Sequence, residues 1–108
     1  MLEWIKQKII EKSEKNIKKC LGELVFIANQ AYENLYQTGK ENISDVKAVN
    51  RAKDSLIIQL CGPIPLEEAK SRLIDPISQD ANTSEGAHMA ILHAYELCYQ
   101  KLGSKKCG

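Results

Sequence analysis

Two histidines and a few nearby carboxylates are the residues of this chain that could bind a metal ion. Glu85 and His88 match Glu-x-x-His, the element with which helical bundles bind a pair of iron ions. Such a site needs that element twice, with carboxylates from two further helices, and the chain has it once. His93 and Glu96 have the reverse order and fall on another face of the same predicted helix. The sequence therefore predicts no metal site and no cofactor.

Four cysteines, at positions 20, 61, 98 and 107, could bind zinc or act as nucleophiles. The chain has no Cys-x-x-Cys, and its cysteines are too scattered for a structural zinc framework. No signature pairs a cysteine with a histidine, and His93 and Cys98 point to different sides of a helix. Because Cys20, Cys61 and Cys98 fall on or beside apolar helix faces, we expect buried thiols there. Cys107, in the polar C-terminal tail, is expected to be exposed.

Motifs that bind phosphate or nucleic acid are missing from the sequence. Neither G-x-x-x-x-G-K nor G-x-G-x-x-G occurs, so no glycine-rich loop of the usual kind is available to hold a nucleotide. The best candidate for a DNA recognition helix, residues 44–61, exposes basic residues beside Asp45 and Asp54. That neutral balance is poor for binding phosphates. The sequence thus predicts neither an enzyme nor a nucleic-acid-binding protein.

All four tyrosines lie in two similar heptapeptides. The segments are Ala-Tyr-Glu-Asn-Leu-Tyr-Gln at 31–37 and Ala-Tyr-Glu-Leu-Cys-Tyr-Gln at 94–100, which share five of seven residues. Tyr32 with Tyr36, and Tyr95 with Tyr99, are spaced i, i+4 and therefore lie on one side of a helix, at the edge of its apolar face. Either the pairs only anchor the ends of helices, which is the commoner role, or they line a shared pocket or contact patch with His88.

The elements that would position these residues are helices. Residues 2–37 repeat apolar side chains at three- and four-residue steps, which is typical of an amphipathic helix. The members of this stripe are Leu2, Ile5, Ile9, Ile17, Cys20, Leu24, Ile27, Ala31 and Leu35. Ser13 and Gly22 permit a break, so the segment is either one helix or two. One unbroken helix would be roughly 54 Å long. It would protrude from a compact chain of this size and favour self-association.

Two further helices are predicted in the middle of the chain. The first of them begins after a cap at Asn42 or Ser44 and ends at the Gly-Pro sequence of residues 62–63. The next is shorter and opens with Pro65, whose backbone angle suits a first helical turn. It ends at the Asp-Pro sequence of residues 75–76, because proline disfavours helical backbone in the residue before it.

The last predicted helix follows a loop at residues 75–84. It runs from about Thr83 to Leu102 and stops at Gly103. Its apolar face is the broadest in the chain, so we expect the other helices to enclose it. No stretch of more than a few residues alternates between apolar and polar side chains, as a half-buried strand would. The sequence therefore predicts an all-α bundle of four to five helices, mostly antiparallel, with a long N-terminal helical segment.

Composition is that of an ordinary globular domain. The chain has 108 residues, of which 44% are hydrophobic and 27% charged. We expect a single helical domain over residues 1–108, with residues 103–108 as a flexible tail. No apolar run approaches the about 18 residues of a transmembrane helix. The N-terminus lacks the features of a secretory signal, so a cytoplasmic protein is expected. The net charge of +1 favours no particular class of partner.

The missing catalytic motifs leave protein–protein contact as the leading hypothesis for function. Trp4 and Phe26 point away from the main stripe, where a second copy of the chain, as in a homodimer, or another protein could cover them. Such a protein would be a regulator, an adaptor or an inhibitor. An alternative is a bundle that binds a small ligand in an aromatic pocket near the tyrosine pairs. A third is an amphipathic N-terminal helix on a membrane surface, because lysines accompany Leu2 and Ile5.

Overall fold

The computed structural model describes the backbone of residues 2–107 and the side chains of residues 2–102. Within this part of the chain all regular structure is helical, which confirms the predicted all-α class. The elements are α1 (Leu2–Thr38), α2 (Ile43–Leu60), α3 (Leu66–Ala69), a π turn (Lys70–Ile74), α4 (Asp75–Ser78) and α5 (Glu85–Cys107). Because the π turn joins α3 to α4 without a gap, the fold has three long helices and one short composite helix.

Helix α1 is unbroken, so the first of the two alternatives for the N-terminal segment is correct. Ser13 is buried against the α2–α3 connection, and a Cβ on Gly62 would lie 3.2 Å from its Oγ. The missing side chain at position 62 therefore leaves room for the serine hydroxyl inside the bundle. Gly22 faces solvent and does not interrupt the backbone hydrogen bonds. The molecule measures 55 Å along its longest axis, which is the length expected of a 37-residue helix.

The three long helices pack side by side, with α1 antiparallel to both others. At one end of the bundle the Nδ2 atom of Asn34 lies 3.0 Å from a carboxylate oxygen of Asp45 at the start of α2. Ser13, near the other end, meets Gly62 just after α2. A connection of only four residues between α1 and α2 forces this antiparallel arrangement, as predicted.

Helices α2 and α5, in contrast, run parallel to each other. Lys53 lies beside His93, with 2.9 Å between Nζ and Nδ1, and further along the two helices the Sγ atoms of Cys61 and Cys98 are 3.7 Å apart. The composite helix between them carries the chain back to the other end of the bundle before α5 begins. The prediction of mostly antiparallel packing is therefore right for α1 with each of its two neighbours.

The hydrophobic core lies between the three long helices and the composite helix. Its largest fully buried side chains are Ile17, Leu21, Leu24, Leu56, Leu60, Ile74, Ile91 and Cys98. On α1 the buried face is centred on Ile17, Leu24 and Ala28, with Leu21 in place of the predicted Cys20, which is half-buried. The stripe members of the first three turns are exposed, because no other helix reaches them. Leu35 is also exposed, at the edge of the contact between α1 and α2.

The boundaries of α2 follow the predicted capping chemistry. The side-chain oxygen of Asn42 accepts hydrogen bonds from the backbone N–H groups of Ser44, at 2.8 Å, and Asp45, at 3.4 Å. Asn42 rather than Ser44 is therefore the N-cap. Before it, Gly39 has a φ of 71° and donates its N–H to the carbonyl of Leu35, as expected of a glycine that ends a helix.

The predicted end of the composite helix at residues 75–76 is wrong, because the helix continues through Pro76 to Ser78. The π turn explains how. Asp75 donates its N–H to the carbonyl of Lys70, five residues back, so the hydrogen-bond register changes just before the proline. Pro76 then occupies the first turn of α4, where no backbone N–H is needed. The connecting loop is consequently shorter than predicted.

Helix α5 differs from its prediction in two respects. It is not enclosed: Met89, Leu92, Leu97 and Tyr99 are exposed, because only one face meets the other helices. It also continues past the predicted stop at Gly103 as far as Cys107. Glycine allows the left-handed conformation that ends a helix but does not impose it. The predicted exposure of Cys107 concerns a side chain outside the described residues, and the flexibility expected of residues 103–108 stays a prediction.

Candidate functional site

Five large exposed apolar side chains lie within residues 2–12 of α1, which we call the arm. Every residue of the arm is exposed, and the first buried side chain of α1 is that of Ser13. The arm has no glycine or proline, and Glu3 lies in the first turn, where a negative charge stabilises a helix. The arm is therefore a preformed helix that extends beyond the end of the bundle.

Apolar side chains occupy one side of the arm. Leu2, Ile5 and Ile9 follow each other at steps of three and four residues, and Leu2 and Ile9 are 74% and 51% exposed. Ile10 beside them is 40% exposed. Trp4 lies on the other side, where the Lys8 ammonium is 4.4 Å from the centroid of its ring. The arm thus offers an aliphatic stripe and, opposite it, an exposed indole covered in part by a cation.

Phe26, the second residue predicted to take part in self-association, lies far from the arm. Its side chain is 70% exposed on a shallow surface beside Lys19 and Glu23. Because 22 residues separate it from Trp4, the two aromatic rings are roughly 33 Å apart along α1. The structure therefore places Trp4 and Phe26 in two separate patches of one helix.

Tyr32 and Tyr36 lie near the C-terminal end of α1. The ring of Tyr32 packs over Gly86 at the start of α5, whereas the side chain of Tyr36 is 84% exposed. Tyr32 lines a groove of about 210 Å³ between α1, α2 and α5. The groove has an apolar floor that includes Leu35 and Val49, and its rim carries polar side chains such as Asp45.

Tyr95 and Tyr99 lie on α5 towards the other end of the bundle. Their ring centroids are 6.3 Å apart. Tyr95 is half-buried, with the Lys70 ammonium 5.8 Å from its ring; burial raises the pKa of its hydroxyl, and Lys70 opposes that change. Tyr99 lines a separate groove of about 560 Å³, bounded by the α2–α3 connection with Pro63 and by Leu102.

The two tyrosine pairs do not share a pocket. Tyr32 meets Gly86, and Tyr95 lies nine residues further along α5, about 13 Å away along the helix axis. Tyr36 lies beyond Tyr32 on α1, and Tyr99 lies beyond Tyr95 on α5. Because the two helices are antiparallel, these second tyrosines are even further apart. Each pair therefore borders its own groove, and the shared aromatic contact patch considered from the sequence is not formed.

His88 joins α5 to α4 rather than facing a groove. Its Nδ1 atom lies 2.6 Å from Oγ and 3.1 Å from the carbonyl oxygen of the buried Ser78. Glu85 in the same Glu-x-x-His motif is exposed. Among the described side chains, no three His, Cys, Asp or Glu residues come together where they could hold a metal ion.

The cysteines are arranged differently from the prediction of three buried thiols. Cys98 is buried as expected, but Cys20 is half-buried and Cys61 is exposed at the C-cap of α2, where the apolar face of that helix has ended. Burial raises the pKa of the Cys20 thiol. The proximity of Cys61 and Cys98 was missed in the sequence, since their contact depends on α2 and α5 running parallel, which no local pattern indicates.

Comparison with known proteins adds no relative of this chain. No protein-family model, curated protein or solved structure matches it. Of the helices within residues 2–107, none has a stretch apolar and long enough to span a lipid bilayer.

Proposed function

We propose that this chain is a non-enzymatic interaction protein that binds another helix along the aliphatic stripe of its arm. We propose further that the helix it binds is the arm of a second copy of the chain. The observation that carries the proposal is the exposure of Leu2, Ile5 and Ile9 on a helix that stands clear of its own bundle. An apolar stripe at helical spacing is the feature by which amphipathic helices dock on each other. A regulator, adaptor or inhibitor would act through such a surface.

The size of the arm predicts weak self-association. Leu2, Ile5, Ile9 and Ile10 are already partly covered, so pairing of two arms would gain about 1 kcal/mol for each of these side chains. The sum over both copies is on the order of 8 kcal/mol, whereas association costs about 4–15 kcal/mol in lost freedom of motion. At the lowest of these costs the balance is about −4 kcal/mol, which corresponds to a dissociation constant of about 1 mM. We therefore expect a dimer that begins to form at high micromolar concentration and dissociates on dilution.

Sedimentation equilibrium over low micromolar to millimolar concentration tests this proposal, with Ile9→Asp as the disrupting variant. Gln7→Asp is its matched control, because it adds the same charge to the same arm on the opposite side. The wild type and Gln7→Asp should approach the dimer mass at high concentration, whereas Ile9→Asp should stay monomeric. A wild type that stays monomeric at millimolar concentration, or an Ile9→Asp variant that dimerises normally, would contradict arm pairing.

The same variants separate arm pairing from binding to a membrane surface. Lys6, Lys8 and Lys12 accompany the aliphatic side chains, and such a helix can also lie on an anionic bilayer. Co-sedimentation of the monomeric wild type with anionic vesicles, lost in Ile9→Asp and kept in Gln7→Asp, would assign the arm to lipid instead. We expect no vesicle binding, because two glutamates in the arm offset most of the lysine charge.

A second candidate function is the binding of a small ligand, which the groove beside Tyr32 favours. Its apolar floor and polar rim are the usual composition of a ligand site. Its volume of about 210 Å³ is below the roughly 300–1,000 Å³ of most such sites, which is why we place helix binding first. A fragment screen by ligand-observed NMR, repeated on Val49→Phe to fill the groove, tests this alternative. Binding that Val49→Phe abolishes would support it.

A further inference from the structure

Two thiols, those of Cys61 and Cys98, come close together in the folded chain. Their Sγ atoms are 3.7 Å apart although the residues are 37 positions apart in sequence. Cys61 is exposed at the C-cap of α2, and Cys98 is fully buried in the core. A thiol that solutes can reach therefore lies beside a thiol that they cannot reach.

The two thiols are held in place by well-packed neighbours. Cys61 donates its backbone N–H to the carbonyl of Ile57 at 3.1 Å, and the preceding Leu60 is 1% exposed. Cys98 lies on the face of α5 that also carries the buried Ile91 and Ala94. A disulfide needs an S–S distance of about 2.05 Å, so the sulfur atoms must approach by less than 2 Å. Rotation of the two side chains about their Cα–Cβ bonds can supply a movement of that size.

The difference in burial gives the two sulfurs different roles. Burial and a hydrogen bond to Cys61 raise the pKa of the Cys98 thiol to about 11. Cys98 is therefore a neutral thiol at physiological pH, within hydrogen-bond distance of Cys61. A dissolved oxidant meets Cys61 first, because Cys61 is the exposed member of the pair.

We propose that Cys61 is a site of oxidation by small peroxides and that Cys98 resolves the product as an intramolecular disulfide. In the first step Cys61 attacks hydrogen peroxide, the O–O bond breaks, and a sulfenic acid and one water are formed. In the second step the sulfur of Cys98 attacks the sulfenic sulfur. The S–O bond breaks, and the leaving hydroxide takes the thiol proton of Cys98 to form a second water. The two thiols lose two electrons, and peroxide gains them.

The disulfide would fasten α2 to α5 at the end of the bundle from which the arm leaves. The residues after Cys61 contact α1 there, since Gly62 lies beside Ser13. A link across 37 positions removes freedom from the unfolded chain and should raise the melting temperature by roughly 10 °C. Oxidation would thus stabilise the bundle mainly by restricting the unfolded chain.

The test is to expose the full-length protein to a few equivalents of hydrogen peroxide and to map its peptides without reduction. We expect a monomer that has lost two thiols, with Cys61 linked to Cys98, a higher melting temperature, and reversal of both changes by dithiothreitol. Cys61→Ser should abolish the linkage. Cys20→Ser is the matched control and should leave the linkage unchanged, because Cys20 is not part of the pair.

Cys98→Ala provides a second readout that does not depend on the stability of the variant. Without its resolving partner, oxidised Cys61 should accumulate as a sulfenic acid that a dimedone probe traps, and it should progress to a sulfinic acid. The proposal is overturned if Cys61 of the wild type also accumulates sulfinic acid in place of the disulfide. It is equally overturned if peroxide links Cys61 to another cysteine or to a second chain.

Discussion

The ring of Tyr32 on α1 fills the space that a side chain at position 86 on α5 would need. A Cβ on Gly86 would lie 2.8 Å from Cδ2 and 3.0 Å from Cβ of Tyr32. Real Cβ atoms do not approach other heavy atoms so closely, so Gly86 is what allows α5 to begin directly against α1. The contact places the first turn of α5 beside Asn29, whose side-chain oxygen accepts the backbone N–H of Ser84 at 2.9 Å.

Gly86→Ala should destabilise the protein by about 1 kcal/mol. Overpacking at this contact costs about 1–3 kcal/mol, and the better helix propensity of alanine returns at most about 1 kcal/mol. Urea denaturation followed by circular dichroism measures the difference. In a Tyr32→Ala background the cost should be smaller, because the ring atoms are gone and only the Cβ of residue 32 stays close, at 3.0 Å. An equal loss in both backgrounds would show that the ring of Tyr32 is not what limits position 86.

Gly22→Ala should have the opposite effect and stabilise the protein by about 0.5–1 kcal/mol. Gly22 lies in the middle of α1, and apart from the adjacent backbone of the helix itself nothing lies within 4 Å of the position that a Cβ would take. Alanine therefore gains helix propensity at no steric cost. The measurement is again the free energy of unfolding in urea. A decrease in that free energy would mean that the outer face of α1 around Gly22 is covered in solution, for example by a second chain.

The contact between Ser78 and His88 should contribute to stability and not to metal binding. His88→Ala leaves the buried Ser78 hydroxyl without its partner and should cost about 1–2 kcal/mol. Ser78→Ala leaves His88 Nδ1 with the backbone carbonyl of residue 78 alone and should cost about 1 kcal/mol. The double variant should cost clearly less than the sum of the two. His93→Ala is the control, since His93 is exposed, and should cost less than about 0.5 kcal/mol. Additive single and double variants would contradict a direct interaction.

The stability of the reduced protein should fall at alkaline pH because of Cys98. Its pKa is raised from 9.0 to about 11 in the folded protein, chiefly by burial, so the unfolded chain loses the thiol proton first. The stabilising contribution of the neutral thiol is complete below pH 9 and disappears as the pH rises towards 11. A shift of this size corresponds to roughly 2–3 kcal/mol.

Urea denaturation between pH 8 and about pH 11, in the presence of a reducing agent, checks this expectation. The slope of unfolding free energy against pH should be steeper for the wild type than for Cys98→Ala. Tyr95 and Cys20, whose pKa values are also raised by burial, contribute equally to both proteins and cancel in the comparison. Parallel slopes would show that Cys98 ionises alike in the folded and the unfolded chain.

Local sequence determined where the long helices begin and which class of fold they form. The Asn42 cap, the stop at Gly39 and the periodicity of α1 all depend on residues within a few positions of each other, and each was predictable. The protrusion of an unbroken α1 was also foreseen as one of two alternatives. The errors occurred where proline or glycine was read as a stop, at residues 75–76 and at Gly103. Both residues permit more than one backbone continuation, and their surroundings select one.

Only the tertiary structure decided which side chains meet. Periodicity gives the apolar face of each helix but not how the helix is rotated against its neighbours. The rotation of α1 buries Leu21 where the sequence pattern predicted Cys20. Periodicity also does not give the relative direction of two helices. The parallel arrangement of α2 and α5 places Cys61 beside Cys98, and the antiparallel arrangement of α1 and α5 places the two tyrosine pairs at opposite ends of the bundle. Those relations depend on how four apolar faces fill one core together, and that is a property of the whole chain rather than of any segment.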